Sequence, residues 1–239
     1  MGKTPLPPIT AAALLLLALP SVAGAETQSR PDYLDQPARI VKVGTFANNK
    51  TYPLVVFLPF TTGSASRFYE QAKGPQAAKT YVALIPAGTV QQTDYLPDFA
   101  AYVGWYEKKL LLDIETAKKN HPVDPGRIYL QGYSLGGDLA WALMVRQKEL
   151  FAGAIVIGSR CSWPLGADTL ESWKSKGRRI AFLIGEQDNA DRAAGMKAAA
   201  DRTAAAGVKT RFDSYQGAHS IPAAEDLAKA CRFLSGSGE

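Results

Sequence analysis

Histidine and cysteine are scarce in this chain, which has two of each among its 239 residues. The two cysteines, Cys161 and Cys231, are not spaced like metal ligands, so the sequence implies no metal ion, and it implies no organic cofactor either. Two interpretations of the cysteines stay open. An oxidising compartment permits a disulfide between them, whereas the position of Cys231 on one helical face with Leu227 and Leu234 favours a buried thiol.

Long runs of like charge are also absent. The 27 basic and 22 acidic residues give a net charge of +5, and removal of a leader that contains Lys3 leaves 26 against 22, or +4. Because this surplus is spread along the chain, nucleic-acid binding is not indicated. Composition breaks, linkers and internal repeats are missing as well, which favours a single domain.

The longest apolar run lies near the N-terminus. Lys3 precedes an apolar stretch over residues 9–19, and Ala23-Gly24-Ala25 supplies a small-x-small cleavage site. The run is too short to span a bilayer comfortably, and Pro20 interrupts it. We therefore predict a signal peptide over residues 1–25, a secreted or periplasmic location, and no membrane association after cleavage. An uncleaved anchor is the alternative.

Apolar runs of strand length alternate with helical patterns along the rest of the chain. Residues 26–37 have little apolar content, and we expect them to form a loose segment before a single domain over residues 38–239. The run at 52–59 is apolar throughout and needs cover on both faces, which is typical of a central parallel strand. The alternation predicts an α/β fold in three layers, with helices on both faces of a mostly parallel central sheet. The strands are expected at 38–43, 52–59, 81–86, from 127 onward, at 153–158, 178–185 and 210–215, and the helices at 68–79, 99–120, 139–150, 169–175, 191–206 and 223–234.

The most informative stretch is a strand-like run from residue 127 that ends in Gly132-Tyr133-Ser134-Leu135-Gly136 and continues as a helical pattern. A serine hydroxyl is a weak nucleophile, and a tight strand-to-helix turn can raise it toward a base and toward free backbone amides. Glycines on both sides of such a turn avoid collisions as the chain reverses. The pattern predicts Ser134 as a nucleophile at this turn over residues 132–136, which we call the elbow.

Only one histidine follows Ser134 in the chain. This residue, His219, lies in a loop after the last predicted strand, at the sheet edge where reactive groups of open α/β sheets gather. The other histidine, His121, precedes the elbow strand and lies at its opposite end. We therefore predict that His219 is the base that accepts the Ser134 proton.

A carboxylate is needed to fix the tautomer of such a histidine. The loop after the strand at 178–185 carries three acids, of which Asp188 is the preferred candidate, ahead of Asp191 and then Glu186. Asp191 stands at the start of a predicted helix, where an acid also stabilises the helix dipole. The order along the chain is then nucleophile, acid and base.

The stretch over residues 123–137, the acid loop at Asp188 and the histidine loop at His219 together resemble an α/β-hydrolase. The resemblance is to the esterase branch that includes dienelactone hydrolases and the phospholipase/carboxylesterase group, and the strand pattern extends it over roughly residues 38–234. It implies an α/β-hydrolase fold, attack of Ser134 on the carbonyl of a small-molecule ester, an acyl-enzyme, and release by water that His219 activates. Dienelactone hydrolases typically carry a cysteine where this chain has Ser134.

The family also implies two backbone amides that stabilise the oxyanion. One is the amide of Leu135, and the other comes from the loop after the central strand. Many members carry His-Gly there, whereas this chain has Pro59-Phe60-Thr61. Proline has no N–H, so Phe60 and Thr61 are the two candidates for the second donor.

Aromatic residues near the predicted catalytic edge are candidates for substrate binding. Tyr133 lies inside the elbow, Trp163 follows the strand at 153–158, and Trp105 lies on the helical stretch at 99–120. Packing in the core or at the rim of a pocket is the alternative for each of them.

The sequence therefore predicts an exported serine hydrolase of carboxylic esters. Acyl transfer or peptide cleavage on the same three residues is a second possibility, and a non-catalytic exported binding protein with this fold is a third. The identity of the ester and the oligomeric state stay open at this point.

Overall fold

A computed structural model of the chain describes residues 1–2, 28–74, 76 and 79–236. The predicted signal peptide falls almost wholly outside these residues. The strands are β1 (Arg39–Val43), β2 (Tyr52–Phe57), β3 (Tyr81–Ile85), β4 (Val123–Tyr133), β5 (Gly153–Ile157), β6 (Arg179–Gly185) and β7 (Lys209–Tyr215). The helices are α1 (Ala65–Ala72), α2 (Phe99–Asn120), α3 (Leu135–Arg146), α4 (Ala167–Ser175), α5 (Ala190–Ala205) and α6 (Ala224–Ser235).

The seven strands form one sheet in the order β1-β3-β2-β4-β5-β6-β7. β1 pairs antiparallel with β3, and every other pair in the sheet is parallel. The carboxyl ends of β4, β5, β6 and β7 therefore meet at one edge of the sheet. The predicted α/β fold with a mostly parallel sheet is confirmed.

Both faces of the sheet are covered by helices. Along β2, the side chains of Leu54 and Val56 enter the core beneath α2, α3 and α5, while Val55 and Phe57 enter the core beneath α1 and α6. Alternate residues of a strand point to opposite faces, so an inner strand with helices on both sides has to be apolar at every position. The continuous apolar run at 52–59 has this physical cause.

Several boundaries differ from the sequence prediction, and two of them have a clear local cause. Helix α1 begins three residues earlier than expected because the Ser64 hydroxyl accepts the Arg67 N–H and caps the helix. Strand β4 begins at Val123, since Val123 pairs with Tyr52 of β2 although Pro125 follows it.

Part of the segment over residues 26–37, which the sequence predicts to be loose, has regular structure at residues 32–35. These residues form a short 3-10 helix, in which Leu34 is only 3% exposed. The Tyr33 hydroxyl lies 3.0 Å from the Tyr102 hydroxyl of α2. One apolar and one aromatic side chain thus attach this segment to the domain.

Both cysteines are free thiols, so the buried-thiol interpretation holds and the disulfide does not form. Cys231 is a buried residue of α6, and burial raises the pKa of the Cys161 thiol to about 12. In the ranges that the structure describes, no helix is both long and apolar enough to cross a membrane.

Candidate active site

Ser134 occupies a sharp turn between β4 and α3. Its backbone has φ 57° and ψ −119°, a strained conformation for a residue with a side chain. A Cβ on Gly132 would lie 2.0 Å from the Gly136 carbonyl oxygen, and a Cβ on Gly136 would lie 2.7 Å from that of Pro59. The two glycines of the sequence pattern are therefore required for this turn to close.

The structure brings the three predicted residues together. The Ser134 Oγ lies 2.9 Å from Nε2 of His219, and the Nδ1 of the same ring lies 2.8 Å from Oδ2 of Asp188. His219 comes from the loop between β7 and α6, and Asp188 from the loop between β6 and α5. A hydroxyl, an imidazole and a carboxylate in this order form the arrangement that activates a serine.

The structure also separates Asp188 from its two competitors. The Asp188 side chain is 1% exposed and turned toward His219. Asp191 is exposed in the first turn of α5, where its N–H donates to the Asn189 side chain, and Glu186 is exposed in the preceding turn. A buried carboxylate needs charged or polar partners, and Asp188 alone of the three acids has the histidine as one of them.

The Asp188 carboxylate has two further partners. The Asn189 N–H donates to its Oδ1 at 2.7 Å, and the Arg192 Nε lies 3.4 Å from the same oxygen. Arg192 was not singled out from the sequence. The signal that could have found it is the spacing of four residues from Asp188, which places the two side chains on one side of a helix start.

Tyr133 contacts the loop that carries His219. Its hydroxyl donates to the His219 carbonyl oxygen at 2.8 Å, and its ring lies 4.9 Å from the imidazole between centroids. The residue is buried, and this burial raises the pKa of its hydroxyl. These contacts hold His219 in place, whereas the sequence suggested Tyr133 as a pocket residue.

The predicted oxyanion donors lie beside the elbow. In the described part of the chain, the backbone N–H groups of Leu135, Phe60 and Thr61 have no hydrogen-bond acceptor. Leu135 opens α3, where the helix dipole favours a developing negative charge. The Phe60 ring packs on Tyr133 at 5.6 Å, which places the loop after β2 next to Ser134.

The two tryptophans lie elsewhere. The Trp163 ring packs between Phe99 of α2 and Arg146 at the far end of α3, at 6.3 and 5.3 Å. It borders a surface pocket of about 320 Å³ whose lining includes none of the three site side chains. Trp105 is half-buried against the core on α2, and among the described residues it makes no ring contact or hydrogen bond with the site. Both tryptophans pack on neighbouring side chains in this structure, and their role in substrate binding stays a prediction.

Gly158, directly after β5, is a site residue that sequence reasoning missed. It has φ 54°, and a Cβ there would approach the His219 ring to 3.0 Å. Behind it, buried Asp138 of α3 accepts the Ser159 hydroxyl and the Arg160 N–H, both at 2.7 Å, and burial raises the pKa of this carboxyl. A glycine at the carboxyl end of a buried strand was the available signal.

Comparison with protein families gives one match. The model of the dienelactone hydrolase family matches residues 42–227, which include every residue of the site described above. No curated protein sequence matches the chain.

Solved structures with the same fold include several hydrolases. The Bacillus cereus carboxylesterase superposes with a TM-score of 0.65 at 16% identity, over 87% of this chain and 100% of the other. A ferulic acid esterase gives 0.59 at 15% identity, over 82% and 99%. A fluorophosphonate-binding serine hydrolase of Staphylococcus aureus gives 0.60 at 12% identity, over 83% and 98%. At these identities the comparison shows a shared fold.

Proposed function

The chain belongs to the dienelactone hydrolase family, a family of α/β-hydrolases, and from that premise we propose that it cleaves carboxylic esters through an acyl-enzyme on Ser134. The observation that carries the proposal is the continuous contact from Ser134 through His219 to Asp188, at 2.9 and 2.8 Å, on a strained elbow. The structural similarity to a carboxylesterase and a ferulic acid esterase supports a small-molecule ester as the substrate.

In the first half of the reaction, the Ser134 Oγ attacks the ester carbonyl carbon while its proton passes to the His219 Nε2. The carbonyl oxygen becomes an oxyanion and accepts the Leu135 N–H, with Phe60 or Thr61 as the second donor. Collapse of this intermediate breaks the ester C–O bond, and His219 returns the proton to the departing alkoxide. The acyl group stays on Ser134.

In the second half, a water molecule donates its proton to His219 and attacks the acyl carbon. Collapse of the second intermediate frees the carboxylic acid, and the proton returns to Ser134. Asp188 accepts the hydrogen bond from the His219 Nδ1, fixes the histidine tautomer and stabilises the imidazolium that forms twice. Tyr133 and Gly158 hold the ring against rotation during these transfers.

The location of this reaction is part of the proposal. The charged start at Lys3, the apolar run over 9–19 and the small residues at Ala23 and Ala25 support export by a cleaved signal peptide. We propose a secreted or periplasmic enzyme. N-terminal sequencing of protein from its native host is expected to begin at Glu26.

The test of the activity is hydrolysis of short p-nitrophenyl esters such as the acetate and butyrate. An acyl-enzyme predicts an initial burst of about one p-nitrophenolate per chain when release of the acyl group is the slower step. Added methanol and analysis of the products separate hydrolysis from transfer, because transfer yields the methyl ester. A rate indistinguishable from buffer alone would contradict the proposal.

Asp188→Asn is expected to lower kcat by about 10⁴-fold, since an amide cannot hold the productive tautomer of His219. The matched control is Asp191→Asn, which alters an exposed acid three residues away in the same segment and should keep kcat within about twofold. Steady-state kinetics of both variants on one ester measure the difference. Equal losses in the two variants would refute the assignment of Asp188.

A further inference from the structure

Arg192 is an unusually buried arginine. Its side chain is only 12% exposed, although it lies in the first turn of a helix whose other charged residues reach solvent. A buried guanidinium is costly unless several of its donors find acceptors. The groups that Arg192 faces therefore indicate what keeps it there.

Two groups from different loops face the guanidinium. The Arg192 Nη1 donates to the Gly158 carbonyl oxygen at 2.9 Å, and its Nε lies 3.4 Å from Oδ1 of Asp188. Gly158 follows β5, whereas Asp188 follows β6. One side chain thus connects the two loops at the edge of the sheet where His219 lies.

Both of these loops determine the position of the histidine. Gly158 lies directly against the imidazole, where a Cβ would approach Cε1 to 3.0 Å and Nδ1 to 3.1 Å. The Asp188 Oδ1 accepts the Asn189 N–H and lies 3.4 Å from the Arg192 Nε, an ion-pair contact without a hydrogen bond, while Oδ2 faces the Nδ1 of His219. A rotation of Asp188 that moves Oδ2 away from His219 would therefore cost the contacts at Oδ1.

We infer that Arg192 is a positioning residue, which joins Gly158 to Asp188 and so keeps the Asp188 carboxylate turned toward His219. The inference rests on the proposed function, because it assigns a role within the reaction at Ser134. Arg192 itself touches neither substrate nor the reacting atoms. Arginine suits this role better than lysine, because its planar fork binds two groups at fixed angles and its charge is permanent.

The test compares three variants of the full chain. Arg192→Gln removes the charge, Arg192→Lys keeps the charge but not the fork, and Lys197→Gln is the control. Lys197 lies on the same helix, is exposed and pairs with Asp201 one turn further on. The readouts are kcat and KM on a p-nitrophenyl ester, the melting temperature, and the low-field proton NMR signal of the histidine N–H that faces a carboxylate.

The NMR signal is easily assigned because the chain has two histidines. His121 caps the end of α2 and precedes β4, so His121→Gln identifies the His219 signal by leaving it in place. This signal reports the contact between Asp188 and His219 directly and needs no turnover. If Arg192 contributes only to general stability, Arg192→Gln would lower the melting temperature but leave the His219 signal unmoved.

Arg192→Gln is expected to lower kcat by roughly 10- to 100-fold, as loss of catalytic geometry does, with KM within about twofold. The low-field signal should weaken or shift, Arg192→Lys should recover part of both, and Lys197→Gln should match the wild type. If Arg192→Gln keeps wild-type kcat and an unmoved signal, the inference is wrong. If that variant fails to fold, Arg192→Lys decides, because full kcat and an unmoved signal with lysine would show that the fork is not needed.

Failure of the proposed function gives a different result. A wild-type protein without esterase activity would leave the NMR comparison intact, and a signal that changes in Arg192→Gln would still show the positioning of Asp188. If the wild type is active and Arg192→Gln has the same kcat and the same signal, the inference about Arg192 is wrong while the proposed function is retained.

Discussion

Replacement of Ser134 by alanine is expected to lower kcat for p-nitrophenyl esters by about 10⁵- to 10⁶-fold. The alanine variant has no nucleophile for the ester carbonyl, and the residual rate comes only from binding and the oxyanion donors. The burst of p-nitrophenolate should disappear together with turnover. Steady-state and rapid-mixing kinetics of the purified variant measure both quantities.

The control for this substitution is Ser175→Ala. Ser175 ends α4, and its hydroxyl donates only to the Ser172 carbonyl oxygen at the protein surface. This variant should keep the wild-type rate, and both alanine variants should keep the wild-type circular dichroism spectrum. A Ser134→Ala protein with more than a tenth of wild-type kcat would contradict an acyl-enzyme on Ser134.

His219→Ala is expected to reduce kcat by a similar factor, about 10⁵- to 10⁶-fold, because nucleophile and base act as one unit. Without the imidazole, no side chain in the part of the chain that the structure describes contacts the Ser134 Oγ and could accept its proton. For the same reason, the double variant with Ser134→Ala should lose little beyond either single variant. The measurement is kcat of the two single variants and the double variant on one ester.

His121→Ala is the matched control for the histidine, since His121 lies at the end of α2 away from the elbow. It should keep kcat within about twofold. Fully multiplicative losses in the double variant would show that Ser134 and His219 act independently, which the observed contact does not allow.

The fold was predictable because its inner strands leave a strong pattern. β2, β3 and β5 are buried on both faces, so each is a short run of apolar residues between polar segments. The site was predictable for a related reason. The elbow is a local motif whose glycines have steric causes, and parallel strands carry the acid and histidine loops to the same edge.

The parts that sequence reasoning missed depend on the directions of side chains in space. Trp163 follows a strand on the catalytic side, yet its ring turns away and packs on Arg146. Tyr133 occupies the elbow, but its hydroxyl reaches the His219 carbonyl oxygen, 86 residues away in the chain. Arg192 resembles an ordinary polar residue of a surface helix until two loops close around it. Of these contacts, only the one between Arg192 and Asp188 leaves a trace in the sequence, as a spacing of four residues.

The contacts of the N-terminal segment, residues 28–37, also depend on the directions of individual side chains. Tyr33, Leu34 and Gln28 attach it to the domain, and three scattered residues are too few to form a pattern. The prediction of a loose chain rests on the low apolar content of the segment. Composition does not show whether the few apolar side chains present are received by a pocket of the domain.

The most direct test of the account is labelling of the folded protein with a fluorophosphonate, which reacts with an activated serine and not with an ordinary hydroxyl. The account predicts one adduct per chain, located at Ser134 by peptide mass spectrometry, with labelling strongly reduced in His219→Ala. A folded protein that gains no adduct, or gains it on a serine other than Ser134, would contradict the central claim.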